Sequence, residues 1–193
     1  MDMGAALIVI DMLNPYDHED AQPLTETVRT ILRPLEDLIA GAVEREIGLV
    51  YVNDNYGDWS AGRPEIVERA LAGASRSLVE PILPAEDAPF VVKARHSIFY
   101  QTPLEYLLRQ SDVDRLILTG QVTEQCVLYS ALDAYVRHFD VVVPRDAVAH
   151  IHEDLAEAAL RMMETNMRAH IAASGREALQ VSCDPPAPQR RRH

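Results

Sequence analysis

Three residue types that can carry nucleophilic chemistry stand at the ends of apolar runs in this sequence. Asp11 follows Leu7-Ile8-Val9-Ile10, and Lys93 follows Phe90-Val91-Val92. Cys126 closes the segment Gly120-Gln121-Val122-Thr123-Glu124-Gln125, which follows Leu116-Ile117-Leu118, and Asn53 and Asp54 close a further run at 49–52. A thiol can attack a carbonyl carbon while a carboxylate takes its proton as general base and later returns that proton to a leaving amine. In the first turn of a helix the thiol also feels the positive end of the macrodipole, and Lys93 acts in the same direction, so a lowered thiol pKa is expected. The backbone N–H groups of Val122 and Cys126 are candidates for holding an oxyanion, with their direction left open by the sequence. Taken singly, each of these types is more often structural: a loop-capping Asp, a solvated Lys, a small buried Cys. Their shared position at strand ends is what singles them out, because ligands of open parallel sheets bind outside the carboxyl ends of the strands. Cys183 has no such context and is expected to be inert.

The elements that must position these residues follow from hydrophobic periodicity. Continuous apolar runs at 7–10, 49–52, 90–92, 116–118 and 141–143 read as strands buried on both faces, and Leu179-Gln180-Val181 as a sixth. Between them, apolar residues at helical spacing predict helices from Thr25 to about Val43, with Gly48 as the stop, and over 103–110, 124–137 and 155–171; a shorter helix is predicted around 66–71. Pro34 falls inside the first stripe, so a kink or a late start is expected there. Strands alternating with helices argue a parallel sheet covered on both faces, the doubly wound α/β class.

Composition narrows the function classes. The 193 residues fit one domain, placed at 1–184 with a Pro- and Arg-rich tail at 185–193, and 48% hydrophobic with 25% charged residues is an ordinary globular balance. A net charge of −12 repels phosphate backbones, which argues against nucleic acid as a partner and for a small-molecule substrate; Arg190 to Arg192 is too short a run to change this. No apolar run of membrane-spanning length occurs, and residues 5–10 lack a basic leader, so no membrane partner and a cytoplasmic location are expected. Two cysteines, Cys126 and Cys183, make neither a disulfide framework nor a four-thiolate metal site. Met12-Leu13-Asn14-Pro15 stands where a dinucleotide fold would carry its glycine fingerprint. His150-Ile151-His152-Glu153-Asp154 reads as the capping and acidic first turn of a helix, and Met162, Met163 and Met167 as core or interface filler.

The ordered segments Ala6-Leu7-Ile8-Val9-Ile10-Asp11-Met12-Leu13-Asn14, Val91-Val92-Lys93-Ala94-Arg95-His96-Ser97-Ile98-Phe99, Gly120-Gln121-Val122-Thr123-Glu124-Gln125-Cys126-Val127 and Pro144-Arg145-Asp146-Ala147 resemble the isochorismatase-like cysteine hydrolases. That superfamily includes nicotinamidases, N-carbamoylsarcosine amidases and isochorismatases. The resemblance runs from about residue 5 to 171. It implies a Rossmann-like, three-layer α/β/α fold around a six-stranded parallel sheet in the order 3-2-1-4-5-6, and a homo-oligomer. It further implies a triad of Asp11, Lys93 and Cys126, with Cys126 attacking a carbonyl carbon; in the mechanism we expect from this, water activated by Asp11 then releases the acid. A cis peptide before Val122 is implied, with the Val122 and Cys126 N–H groups aimed into the pocket. Tyr16 falls at an aromatic pocket wall, with Trp59 and Phe99 as looser candidates for substrate contact.

Departures from the pattern narrow the activity. Nicotinamidase-like members carry an Asp-x-His metal motif after strand two, whereas this chain reads Asp54-Asn55-Tyr56 and has no His between His18 and His96. No metal and no cofactor is therefore expected. Retention of Cys126 favours cleavage of an amide, imide or ureido C–N bond. The alternatives are vinyl-ether hydrolysis with Asp11 as general acid, and a non-catalytic oligomerising module of the same fold.

Overall fold

The computed structural model describes residues 4–183, with side chains placed through Val181. The tail at 185–193 and the side chain of Cys183 lie outside the described residues, and so do the expectations attached to them.

Each predicted run at 7–10, 49–52, 90–92, 116–118 and 141–143 forms a strand: β1 (Gly4–Ile10), β2 (Gly48–Asp54), β3 (Phe90–Lys93), β4 (Val113–Gln121) and β5 (Asp140–Pro144). With β6 (Val148–Ala149) and β7 (His170–Ala172) they make a parallel sheet in the order β3-β2-β1-β4-β5-β7, with β6 paired to β4. The helices are α1 (Ala21–Glu44), α2 (Arg63–Ala72), the single turn α3 (Arg76–Val79), α4 (Leu104–Gln110), α5 (Leu128–Val136), α6 (Glu153–Met167) and α7 (Gly175–Cys183). Because side chains alternate across a strand, Leu7 and Val9 of β1 pack under α1 with Val28, Leu35 and Leu38. Ile8 and Ile10 face the opposite layer with Ala131, Leu160 and Met163. The three layers expected for a doubly wound sheet are thus built from two cores, one on each face.

Several expected element bounds need correcting. The last strand of the sheet is 170–172, and the 179–181 segment lies in α7, where Ala178 and Leu179 pack against the α1 side of the core. Ser174 and Glu177 start that helix: the Ser174 side chain accepts the Glu177 N–H, and the Glu177 carboxylate accepts the Ala173 N–H. The helix predicted over 155–171 stops at Met167 because Arg168 turns left-handed, at φ 56°, and the chain then enters β7. Gly48 opens β2, and the end of α1 is made instead by Glu46 at φ 56°. α1 also begins at Ala21, four residues earlier than expected, and runs unbroken through Pro34. Met163 and Met167 are buried as expected, while Met162 is exposed.

Two close approaches fix the loops around the strand ends. Gly120 has φ +101°, and a Cβ there would lie 2.1 Å from the Ile10 carbonyl oxygen, so only glycine lets β4 run this near β1. A Cβ on Gly73 would meet the Pro15 carbonyl oxygen at 2.3 Å, which seats the loop after β1 against the end of α2. Gly120→Ala is expected to lower unfolding free energy by about 2 kcal/mol or more, since backbone strain adds to the clash. Urea denaturation measures it, and a variant as stable as the parent would contradict the close approach.

Candidate active site

Asp54 closes β2, Lys93 closes β3, and the two are register partners, so the parallel ladder itself sets carboxylate and ammonium side by side. Ile10, the last residue of β1, pairs with Gly120 of β4, and Asp11 follows at φ 55° with its N–H donated to the Val52 carbonyl. Beyond β4 the chain makes a wide π-helical turn, Thr123–Val127, closed by the Val127 N–H on the Val122 carbonyl, and Cys126 rides on it. The peptide between Gln121 and Val122 is cis.

Lys93 is the hub. Its side chain is fully buried, and its Nζ lies 2.8 Å from Asp11 Oδ2, 3.2 Å from Asp54 Oδ2 and 3.7 Å from Cys126 Sγ. An ammonium has three protons, and here each has an acceptor. Asp11 is held a second time by the Asp54 N–H, which donates to Oδ1 at 2.7 Å, and it is near enough to Cys126 for each group to shift the other's pKa. The Val122 N–H lies close enough to Cys126 to favour its thiolate form. The structure therefore brings Asp11, Lys93, Val122 and Cys126 together.

The electrostatics correct one expectation. Burial, and then the charge of Asp11, push the Cys126 thiol up, against the pull of Lys93 and the Val122 N–H. Burial likewise raises the Asp11 carboxyl above its usual range, against the charge and hydrogen bond of Lys93. Burial alone would lower Lys93, yet the charges of Asp11 and Cys126 raise it, so the ammonium persists. With Asp54 present, a thiolate would bring the site to two net negative charges, so the Asp11–Cys126 pair keeps one proton at rest. The helix end and Lys93 do not offset this. The folded protein holds a thiol proton that the unfolded chain releases, so stability falls as pH rises above the ordinary thiol value of about 8.5. Iodoacetamide labelling of Cys126 should show a pH profile displaced upward from that of the urea-unfolded chain. A downward displacement would contradict these electrostatics.

The loop after β1 is pinned over the site. Asn53 exchanges two hydrogen bonds with the backbone of Leu13, and Tyr56 donates its hydroxyl to the Leu13 carbonyl at 3.1 Å. Burial and the nearby Asp11 charge keep the Tyr56 hydroxyl protonated far above its ordinary range. Tyr16 is buried beside them and donates to Gln121 Oε1, while Gln121 Nε2 donates to the Asp11 carbonyl at 2.6 Å. Of the expected pocket walls, Tyr16 is tied to the site through Gln121. Phe99 is buried in the core, stacked on Phe139 with the Arg137 guanidinium over its ring. Trp59 is 83% exposed on the loop after β2 and is not brought to the triad.

Sequence reasoning missed three neighbours. Asp54 was visible only as a strand end, and Tyr56 only as the residue replacing a metal-motif histidine. His96, three residues after Lys93, is exposed, with Nδ1 3.8 Å from Cys126 Sγ and its ring 5.4 Å from that of Tyr129. Asp54 spends its carboxylate on Lys93 and the Tyr56 N–H, and among the described residues no group of three or more His, Cys, Asp or Glu is placed to hold a metal. The His150–His152 segment is capped by Glu124, whose Oε1 accepts the Ile151 and His152 N–H groups, with Glu153 and Asp154 in the first turn of α6.

The Isochorismatase domain family model matches residues 5–174. The chain belongs to the isochorismatase family. Among relatives, it is 32% identical over 166 residues to the isochorismatase family protein YaaI of Bacillus subtilis, covering 86% of this chain and 92% of that one. Maleamate amidohydrolase of Pseudomonas putida is 27% identical over 80% of this chain and 76% of its own. Among solved structures, N-carbamoylsarcosine amidase of Thermoplasma acidophilum superposes with a TM-score of 0.69 at 27% identity, covering 88% of this chain and 96% of that one. The strand order of the isochorismatase fold is the one described above, and no helix among the described residues is long and apolar enough to cross a membrane.

Proposed function

We propose that the protein is a metal-independent cysteine hydrolase that cleaves an amide, imide or ureido C–N bond of a small molecule. Asp11, Lys93 and Cys126 are its catalytic residues. The observation that carries this reading is the sulfur's surroundings: a carboxylate that can take its proton, an ammonium, and a backbone N–H, all at buried strand ends. The amide chemistry named for the two functionally described relatives, an amidohydrolase and an amidase, supports it.

The pair's shared proton sets the course of the reaction. As Sγ bonds to the substrate carbonyl carbon, its proton passes to Asp11, and the carbonyl oxygen becomes an anion opposite the Val122 and Cys126 N–H groups. Asp11 then gives the proton to the leaving nitrogen, the C–N bond breaks, and a thioester remains on Cys126. Lys93 holds Asp11 in place throughout and limits the negative charge that builds up. Water attacks the thioester and releases the acid. Tyr16, with Gln121 behind it, forms a wall of the substrate pocket. The site acts as a single-domain centre in a cytoplasmic homo-oligomer.

One observation favours a second reading. Burial raises the Asp11 carboxyl, and a protonated Asp11 is what a vinyl-ether hydrolase needs as its general acid. Product analysis separates the two: maleamate and N-carbamoylsarcosine should yield ammonia, with no pyruvate from isochorismate. Pyruvate without ammonia release would overturn the amide reading.

A further inference from the structure

His96 lies beside the sulfur and takes no part in forming the thioester described above. Its place is the loop after β3, on the solvent side of Cys126, while Asp11 approaches the same sulfur from within. Hydrolysing a thioester requires a base that water can reach. Asp11 is poorly suited: Oδ2 holds Lys93 at 2.8 Å, Oδ1 accepts the Asp54 N–H at 2.7 Å, and its side chain is 7% exposed. With both oxygens engaged and the side chain buried, Asp11 can exchange a proton with the adjacent Sγ but offers incoming water little open surface. His96 is exposed, its Nδ1 lies 3.8 Å from Sγ, and Tyr129 supports the ring. That distance sets the imidazole beside whatever is bonded to the sulfur.

We propose that His96 is the general base of the second half-reaction, so that the two protons are handled by different residues: Asp11 for thioester formation and His96 for its hydrolysis. The inference rests on the cysteine-hydrolase reading and departs from the expectation that Asp11 activates the water. As the water oxygen bonds to the thioester carbon, one of its protons moves to Nδ1. Collapse of the tetrahedral intermediate breaks the C–S bond and returns its electron pair to Sγ. The proton on Nδ1 follows, leaving the free acid and the Cys126 thiol. An imidazole suits this exchange, because one ring nitrogen can take a proton and give it back.

The test uses p-nitrophenyl acetate, which acylates a thiol directly, with His96→Gln and His96→Ala in the full chain. A surface substitution leaves the fold intact, which circular dichroism checks. In both variants the initial burst of p-nitrophenolate should match the parent, the steady phase should slow about 100-fold, and acetyl should accumulate on the Cys126 peptide. Steady rates equal to the parent's with no accumulation would overturn the proposal. So would loss of the burst in a folded variant, which would place His96 before the thioester. If the parent itself showed neither a burst nor acetyl-Cys126, the cysteine-hydrolase reading would fall, and the role of His96 with it.

Discussion

Replacing Cys126 with Ala should abolish amide turnover, with a loss on the order of 10⁴-fold or more, while unfolding free energy changes by about 1 kcal/mol or less. The two effects separate because the sulfur is both small and chemically central. It sits at 9% exposure between Asp11, Lys93, the Val122 N–H and His96, and truncation to a methyl removes the only atom that can bond to the carbonyl carbon. The ion pair beneath it, Lys93 to Asp11 at 2.8 Å, does not need the sulfur. Ammonia release and urea denaturation on the same preparation measure both quantities. A folded Cys126→Ala protein that turned over amide at the parental rate would contradict the covalent route.

Lys93→Met should destabilise the protein by about 3–5 kcal/mol as well as inactivate it, because it leaves Asp11 and Asp54 facing one another without a cation. Methionine fills a similar volume, so the loss reports charge and not packing. Its pH dependence has a definite sign. Without the ammonium, the native carboxyls bind protons more tightly than they do in the unfolded chain, whose carboxyls titrate near 3.9. Between that value and their raised native values the folded state carries more protons, so the variant gains stability as pH falls. The gap between parent and variant should therefore be wide at pH 8 and narrower at pH 5. An equal gap at both would mean that the carboxylates are not what Lys93 stabilises.

The residues that bear the chemistry were legible for a specific reason. A strand buried on both faces must be apolar throughout, so Asp11 and Lys93 stand out as the first polar side chains after β1 and within β3, and the Gly120–Cys126 segment as the turn after β4. What stayed hidden depends on pairing between segments distant in sequence. Asp54 meets Lys93 through the β2–β3 register, and His96 meets Cys126 only once the loop after β3 folds back beside the π-helical turn. The direction of the thiol's pKa was misjudged for the same reason: Lys93 and the helix end were visible, but burial and the second carboxylate were not. At the C-terminal end the boundary between α6 and β7 is made by Arg168 in a left-handed conformation, a residue type that carries no stop signal. The Leu179-Gln180-Val181 alternation suits a helix face as well as a strand.

The central claim is that substrate acyl groups pass through Cys126. Acid-quenching the enzyme during steady turnover of an amide substrate, followed by peptide mass spectrometry, tests it most directly. An acyl adduct on the Cys126 peptide that forms within the first turnover and disappears as substrate is exhausted is the predicted result. Continued ammonia release with Cys126 never acylated, in the parent and in His96→Gln alike, would contradict it.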